Sequence, residues 1–91
     1  MVADPRAILH AAAAKGVTIN GTGTYAMDYP SFIEDAGAEA PEVRSKLEAA
    51  IPMRRFGAPE ESAHFVATLI DGVGTYQTGQ FFVMDGGWAF E

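Results

Sequence analysis

Cysteine is absent from this 91-residue chain, which excludes disulfide bridges, cysteine-ligated zinc and thiol catalysis. Positive charge is also scarce, since six Lys and Arg stand against twelve Asp and Glu, for a formal net charge of −6. A nucleic-acid partner would require clustered basic residues, so the charge argues against one. Long apolar runs and a secretion-signal core are lacking as well. We therefore expect no membrane partner and a cytoplasmic location.

Apolar residues are plentiful, at 48% of the chain, and 11% of the residues are aromatic. Such a composition is typical of a folded globular protein rather than a disordered one. The length allows a single domain, 1–91. A domain of this size buries a small share of its surface, so association with another subunit would help to stabilise it.

Proline, glycine and β-branched residues mark the borders of the predicted elements. Asp4 and Pro5 are favourable residues for the start of a helix, and Gly16 is a good stop. The predicted order is a helix from Asp4 to Lys15, a strand 17–20, a flexible glycine loop, a short helix 31–35, a helix from Pro41, a helix from Pro59 to Asp71 and a strand 80–84. A strand–helix–strand crossover implies parallel pairing. The predicted fold class is therefore α/β, a partial Rossmann-like unit with two parallel strands.

Two carboxy-terminal elements carry more apolar surface than one molecule of this length can cover. In the predicted helix 59–71, the apolar side chains form an arc broader than one contact with a sheet requires. The run "FFVM" at 81–84 is apolar on both faces, as in parallel strands that are covered on both sides. These features predict an oligomer.

Residue patterns for catalysis and metal binding are weak. "GTGTYA" at 21–26 fits G-x-G-x-x-A, but Pro30 would interrupt the helix that a dinucleotide fingerprint requires. His10 and His64 lack a second histidine at i+4, so no metal site is predicted. No G-x-S-x-G motif is present, and the acids Asp28, Glu34 and Asp35 are interpreted as surface residues. The pair Arg54-Arg55 is interpreted as an ion-pairing group rather than an anion clamp.

Three stretches carry a family resemblance: "GVTIN" at 16–20, "IPMRRFGAPEESAHFVATLI" at 51–70 and "YQTGQFFVMDGGWAF" at 76–90. Together they resemble the carboxy-terminal part of a short-chain dehydrogenase/reductase. The resemblance implies that 17–20 is the sixth strand of a Rossmann sheet, that a substrate loop covers about 24–50, and that the helix and strand within about 59–84 form a two-fold subunit interface. The implied partner is a second copy, in a homodimer or homotetramer whose sheet is shared across the two-fold. The interface residues would be Phe65, Leu69, Phe81, Val83 and Trp88.

The resemblance also says what these 91 residues lack. The family uses NAD or NADP, yet neither its glycine-rich cofactor loop nor its Tyr-x-x-x-Lys pair occurs here. The only lysines, Lys15 and Lys46, follow Ala11 and Glu42 at four places. We therefore expect no catalytic residue and no cofactor for this chain alone. Thr24 and Tyr25, where the family has Pro-Gly beside the nicotinamide, are the weak cofactor candidates, and the aromatic loop 25–30 is similar to that of halohydrin dehalogenases.

Three functions stay open at this point. The chain is a truncated reductase relative that oligomerises and is not catalytic alone. Alternatively, it is the carboxy-terminal part of an active oxidoreductase, or of a cofactor-free dehalogenase-like enzyme, whose other part lies elsewhere. The third alternative is a small-molecule binding module, with an apolar pocket lined by Tyr25, Met27, Tyr29 and Phe32.

Overall fold

The computed structural model describes residues 4–90 and has an α/β architecture. Its two strands pair in parallel, which confirms the predicted fold class. The elements in chain order are α1 (Pro5–Ala14), β1 (Gly21–Thr24), α2 (Pro30–Ala36), α3 (Pro41–Ala50), α4 (Pro59–Ile70), β2 (Phe81–Met84) and a 3₁₀ turn (Trp88–Phe90). No helix in the described part of the chain is long and apolar enough to cross a membrane.

Proline occupies the first turn at the start of each of α1 to α4. Its missing N–H would be unpaired at that position anyway, and its fixed φ suits the helix. Asp4 accepts a hydrogen bond from the Arg6 backbone N–H at 3.0 Å and so caps α1. Gly37 ends α2 at a φ of +70°, a left-handed value that suits glycine. The four predicted helices are therefore confirmed, with ends shifted by one residue or so.

The predicted strand 17–20 is wrong, and the predicted glycine loop after it is the strand. Four residues of β1 pair with β2 in the register Gly21 with Phe81 through Thr24 with Met84. The Phe81 ring lies over the first and third residues of β1, where only glycine leaves room for it. Residues 17–20 contact the segment 77–80 largely through side-chain hydrogen bonds. In one of them, Thr78 Oγ1 accepts from the Ile19 N–H at 2.9 Å. Long-range packing therefore outweighs the β-branched pattern of 17–20.

The buried core lies beyond the carboxyl ends of the strands, not over the sheet. Ala26, Ala38, Ile51 and Phe56 form its centre, and Ile51 is only 1% exposed. Half-buried apolar side chains pack around this centre: Tyr25, Phe32, Ile33, Ala36 and Leu47. The predicted substrate loop 24–50 is thus a packed unit of α2, α3 and their connections.

The sheet and α4 keep much of their apolar surface exposed. Phe65 of α4 packs on Phe82 of β2, with ring centroids 5.1 Å apart. On the other face of β2, Phe81 is 69% exposed and Val83 is 55% exposed. Ile70, at the end of α4, is 79% exposed. A chain this short leaves these two elements only partly covered, as their composition predicts.

Candidate functional site

A row of aromatic side chains forms where the two strands end. Tyr25, the first residue after β1, packs at a tilt against Trp88 with ring centroids 4.5 Å apart, and it forms an edge-to-face contact with Phe32 at 5.5 Å. Phe32 in turn meets Phe56 at 5.6 Å. Edge-to-face pairs of this kind add to the stability gained from burial alone. The structure thereby joins Tyr25 and Phe32, which are predicted to lie in a substrate loop, to Trp88, which is predicted to lie in a subunit interface.

Arg44 closes the far end of this aromatic row. Its guanidinium carbon lies 4.3 Å from the Phe56 ring centroid. The same group pairs with Asp28 at 2.7 Å and with Glu48 at 3.5 Å. The hydrogen bond to Asp28 is the main cause that raises the pKa of Arg44, so the arginine stays charged. Asp28 is therefore committed to an ion pair that orders the loop and is not a free catalytic acid.

Tyr29 and Met27 take different places from the aromatic row. The Tyr29 hydroxyl lies 2.5 Å from Ser62 Oγ, and Ser62 itself donates to the Pro59 carbonyl at 3.1 Å. Tyr29 therefore donates to Ser62 and ties the loop to the first turn of α4. Met27 is buried. It forms a parallel β-bridge with Gly57, in which the Asp28 N–H donates to the Gly57 carbonyl at 2.9 Å. The four predicted pocket residues therefore do not line one pocket together.

A cavity of about 350 Å³ lies beside Tyr25, between the end of β2 and the start of α4. Its apolar wall includes Met27, Met53 and Met84, which are three of the chain's four methionines. The wall on the α4 side consists of Arg55, Glu61 and Ser62. The turn 85–87 forms another wall. Of the predicted loop residues, the cavity takes only Tyr25 and Met27.

Arg55 and Glu61 form a two-pronged ion pair at the edge of this cavity. The two guanidinium nitrogens donate to the two carboxylate oxygens at 2.7 and 2.9 Å. Glu61 also accepts from the Ala58 backbone N–H at 2.9 Å and so caps α4. Hydrogen bonds from Arg55 and then from Ala58 lower the pKa of Glu61 to about 2. The neighbouring Arg54 donates to the Ala49 carbonyl at the end of α3, at 3.0 Å. Each arginine of the pair is thus engaged at a helix end.

Asp85 stabilises the turn that follows β2. Asp85 accepts hydrogen bonds from the backbone N–H groups of Gly87 at 3.0 Å and Ala89 at 2.9 Å. Gly86 adopts a φ of +64°, and a Cβ there would lie 2.6 Å from Ile51 Cγ2. Glycine is therefore required for the turn to approach the core so closely. This local bonding brings Trp88 back onto Tyr25.

Other candidate residues are not brought together. His10 and His64 are exposed on separate helices, and Glu34 and Asp35 are exposed on α2. Across residues 4–90, no group of three or more His, Asp or Glu side chains could hold a metal ion. Sequence reasoning missed Met53, Met84 and Ser62, which meet in the cavity from separate segments. Glu61 could have been found, because an acid three residues into a helix is a capping signal.

The residues present do not fit the pyrophosphate of a dinucleotide. The glycines of "GTGTYA" lie within β1 and under the Phe81 ring, whereas a pyrophosphate cradle needs open glycines that lead into a helix. Thr24 is exposed as the last residue of β1, while Tyr25 is occupied by its aromatic neighbours. Neither residue forms a cofactor cradle by itself.

The chain is similar to known proteins in both sequence and structure. Residues 6–89 match a family model described as enoyl-(acyl carrier protein) reductase. The chain belongs to the short-chain dehydrogenase/reductase family. It is 32% identical over 94 aligned residues to 2-(S)-hydroxypropyl-CoM dehydrogenase 3 of Xanthobacter autotrophicus, an alignment that covers 82% of this chain and 37% of that protein.

Solved structures of family members share the fold. The structure of YwfH, an NADPH-dependent reductase involved in bacilysin biosynthesis, superposes with a TM-score of 0.78 at 28% identity, over 91% of this chain and 34% of that one. A dehalogenation enzyme superposes with a TM-score of 0.81 over 90% of this chain and 34% of its own. At 23% identity, that likeness shows the fold alone. The short-chain dehydrogenase/reductase chain described here spans between 21% and 37% of the length of the curated relatives it matches.

Proposed function

We propose that this chain forms the substrate-side wall and the assembly surface of a short-chain dehydrogenase/reductase, and that it neither binds NAD(P) nor catalyses alone. The observation that carries the proposal is the aromatic row at the carboxyl ends of β1 and β2. In open α/β sheets, ligands bind beyond this end of the strands. The names of the relatives, a dehydrogenase and an NADPH-dependent reductase, support oxidoreduction as the reaction of the whole enzyme.

The role of these residues is to position and to shield. Tyr25, Phe32 and Trp88 offer a rigid apolar wall that would orient a substrate and exclude water from it. The ion pair of Arg44 and Asp28 and the hydrogen bond of Tyr29 to Ser62 hold this wall in place. Since Tyr29 is committed to Ser62, it is not free to protonate a carbonyl oxygen. No chemical step is therefore assigned to this chain.

The function is tested with the purified 91-residue chain. NADH or NADPH is mixed with a panel of ketones and aldehydes, and oxidation of the nicotinamide is followed by its absorbance. We expect no rate above buffer, because residues 4–90 form no pyrophosphate cradle and Tyr29 is held by Ser62. Turnover that survives further purification would refute the proposal. The upstream DNA and the mass of the native polypeptide then distinguish a free-standing truncated relative from part of a longer enzyme.

A second copy of the chain is the proposed partner. Phe81 and Val83 on one face of β2, and Val66 and Ile70 on α4, are exposed, so both elements present apolar surface. A homodimer or homotetramer that joins these elements across a two-fold would cover that surface and extend the sheet. A cytoplasmic location is proposed as well, since the chain has no cysteine for the disulfides common in small secreted domains.

A further inference from the structure

We propose that the methionine-lined cavity binds a small neutral and largely apolar molecule, such as a medium-chain ketone or alcohol, and rejects carboxylates. This inference rests on the proposed function only in treating that molecule as a substrate; binding itself is a property of the chain alone. The cavity, at about 350 Å³, lies at the small end of the size range of ligand sites.

The apolar wall is suited to a chain without a fixed shape. Met27, Met53 and Met84 line the cavity together with Tyr25 and Val83. Thioether side chains are flexible and polarizable, so they adapt to different apolar ligands. Methionines concentrated in this way favour an unbranched or variable hydrocarbon over a rigid polar ring.

The frame around these methionines is fixed by the backbone. Gly57 N–H donates to the Ala26 carbonyl at 3.0 Å, and a Cβ on Gly57 would lie 2.6 Å from the Met27 sulfur. On the opposite wall, Met53 N–H donates to the Gly86 carbonyl at 3.1 Å. The cavity is therefore formed before a ligand arrives, which reduces the entropy lost on binding.

The charged groups of the cavity are already paired. Both oxygens of Glu61 accept from Arg55, and both oxygens of Asp85 accept from backbone N–H groups of the turn. A ligand carboxylate that passes these half-exposed groups into the apolar part of the cavity would lose hydration, and it would find no uncommitted cation among the lining residues. Burial of an unpaired charge is costly, whereas a ketone carries no such cost. The pairing of Arg55 with Glu61 therefore sets the preference for a neutral ligand.

The test compares 2-heptanone with heptanoate, which have the same chain length. The chain is labelled with ¹³C at the methionine methyl groups, and each probe is titrated while the assigned signals of Met27, Met53 and Met84 are followed. We expect the ketone to shift all three signals and heptanoate to bind roughly tenfold more weakly, because of the charge that it must bury. Absence of these shifts with the ketone, or equal binding of heptanoate, would overturn the inference.

Glu61→Gln tests the role of the ion pair. The amide oxygen still accepts from Ala58 N–H, but Arg55 loses its carboxylate partner. We expect heptanoate binding to strengthen by roughly tenfold relative to the unsubstituted chain. Glu60→Gln is the control, since it removes the same charge from the exposed neighbouring residue outside the cavity. Equal behaviour of the two variants would contradict the inference.

Met53→Lys provides a second route if Glu61→Gln fails to fold. Met53 is 60% exposed, so a lysine there is tolerated while its cation lies at the cavity. Gain of heptanoate binding supports the inference, and its absence in this folded variant counts against it. Neither result depends on nicotinamide oxidation, so a failure of ligand binding is distinguishable from a failure of the proposed function.

Discussion

The ring of Phe81 on β2 lies against Gly23 on β1, so that a Cβ on Gly23 would come within 2.8 Å of the ring Cζ. The same ring lies as close to Gly21. Glycine weakens a strand because it has no side chain to pack, and an aromatic ring from the neighbouring strand replaces that packing. The two glycines and Phe81 therefore act as one unit that makes a strand out of a glycine-rich segment.

Gly23→Ala should destabilise the chain by about 1 kcal/mol, because the new methyl group displaces the Phe81 ring. In a Phe81→Ala background the same substitution should cost little, since the ring is already gone. Urea unfolding of the single and double variants measures this coupling. Equal costs in both backgrounds would show that the ring and Gly23 act independently.

The helices of this fold were predictable because their signals are local. Each helix begins with a proline, and Gly16 and Gly37 follow the ends of α1 and α2. The position of β1 was not predictable, because it depends on Phe81, which lies about sixty residues away along the chain. Val17 and Ile19 have strand propensity, but they remain exposed beside the sheet. Pairing with a distant partner decides which of two adjacent segments becomes the strand.

The candidate site shows the same division. Tyr25 and Phe32 were predicted as residues of the substrate loop, and the structure brings both into the aromatic row. Met53 and Met84 come from separate segments and meet Met27 only in the folded chain. Neither position has a spacing or a neighbour that predicts such a cavity. The association of distant apolar residues is set by packing, which a residue pattern alone does not contain.

Arg44→Ala should destabilise the chain by about 1–2 kcal/mol, since it removes both the contact with the Phe56 ring and the pairing with Asp28. Arg44→Lys should recover part of this loss, because a lysine keeps the charge but lacks the planar fork. Lys46→Ala, on the exposed face of the same helix, is the control. Thermal unfolding measures all three, and an equal effect of Arg44→Ala and Lys46→Ala would contradict the assignment.

The stability of the chain should depend on pH through Glu61. The pKa of this carboxyl falls from 4.5 to about 2 on folding, so its contribution is fully present above pH 4.5 and is lost as the pH falls toward 2. In Glu61→Gln this part of the acid sensitivity should be missing, whereas Glu60→Gln should retain it. Unfolding midpoints in urea between pH 5 and about pH 2 provide the measurement. A parallel pH dependence of the two variants would argue against the paired state of Glu61.

Val83→Asp should convert an oligomer into a monomer if β2 and α4 form the contact between copies. A carboxylate on this exposed apolar strand would be buried without a partner in the assembly, at a cost of several kcal/mol. Ile70→Asp on α4 should act in the same way, while Ile8→Asp, at an exposed apolar position on α1, should leave the assembly intact. Size-exclusion chromatography with light scattering measures the mass of each variant.

A well-folded monomer of the unsubstituted chain at micromolar concentration would contradict the proposed contact. Each Phe side chain buried there contributes about 1.5–3 kcal/mol, so a shared surface that includes Phe81 should be detectable under those conditions.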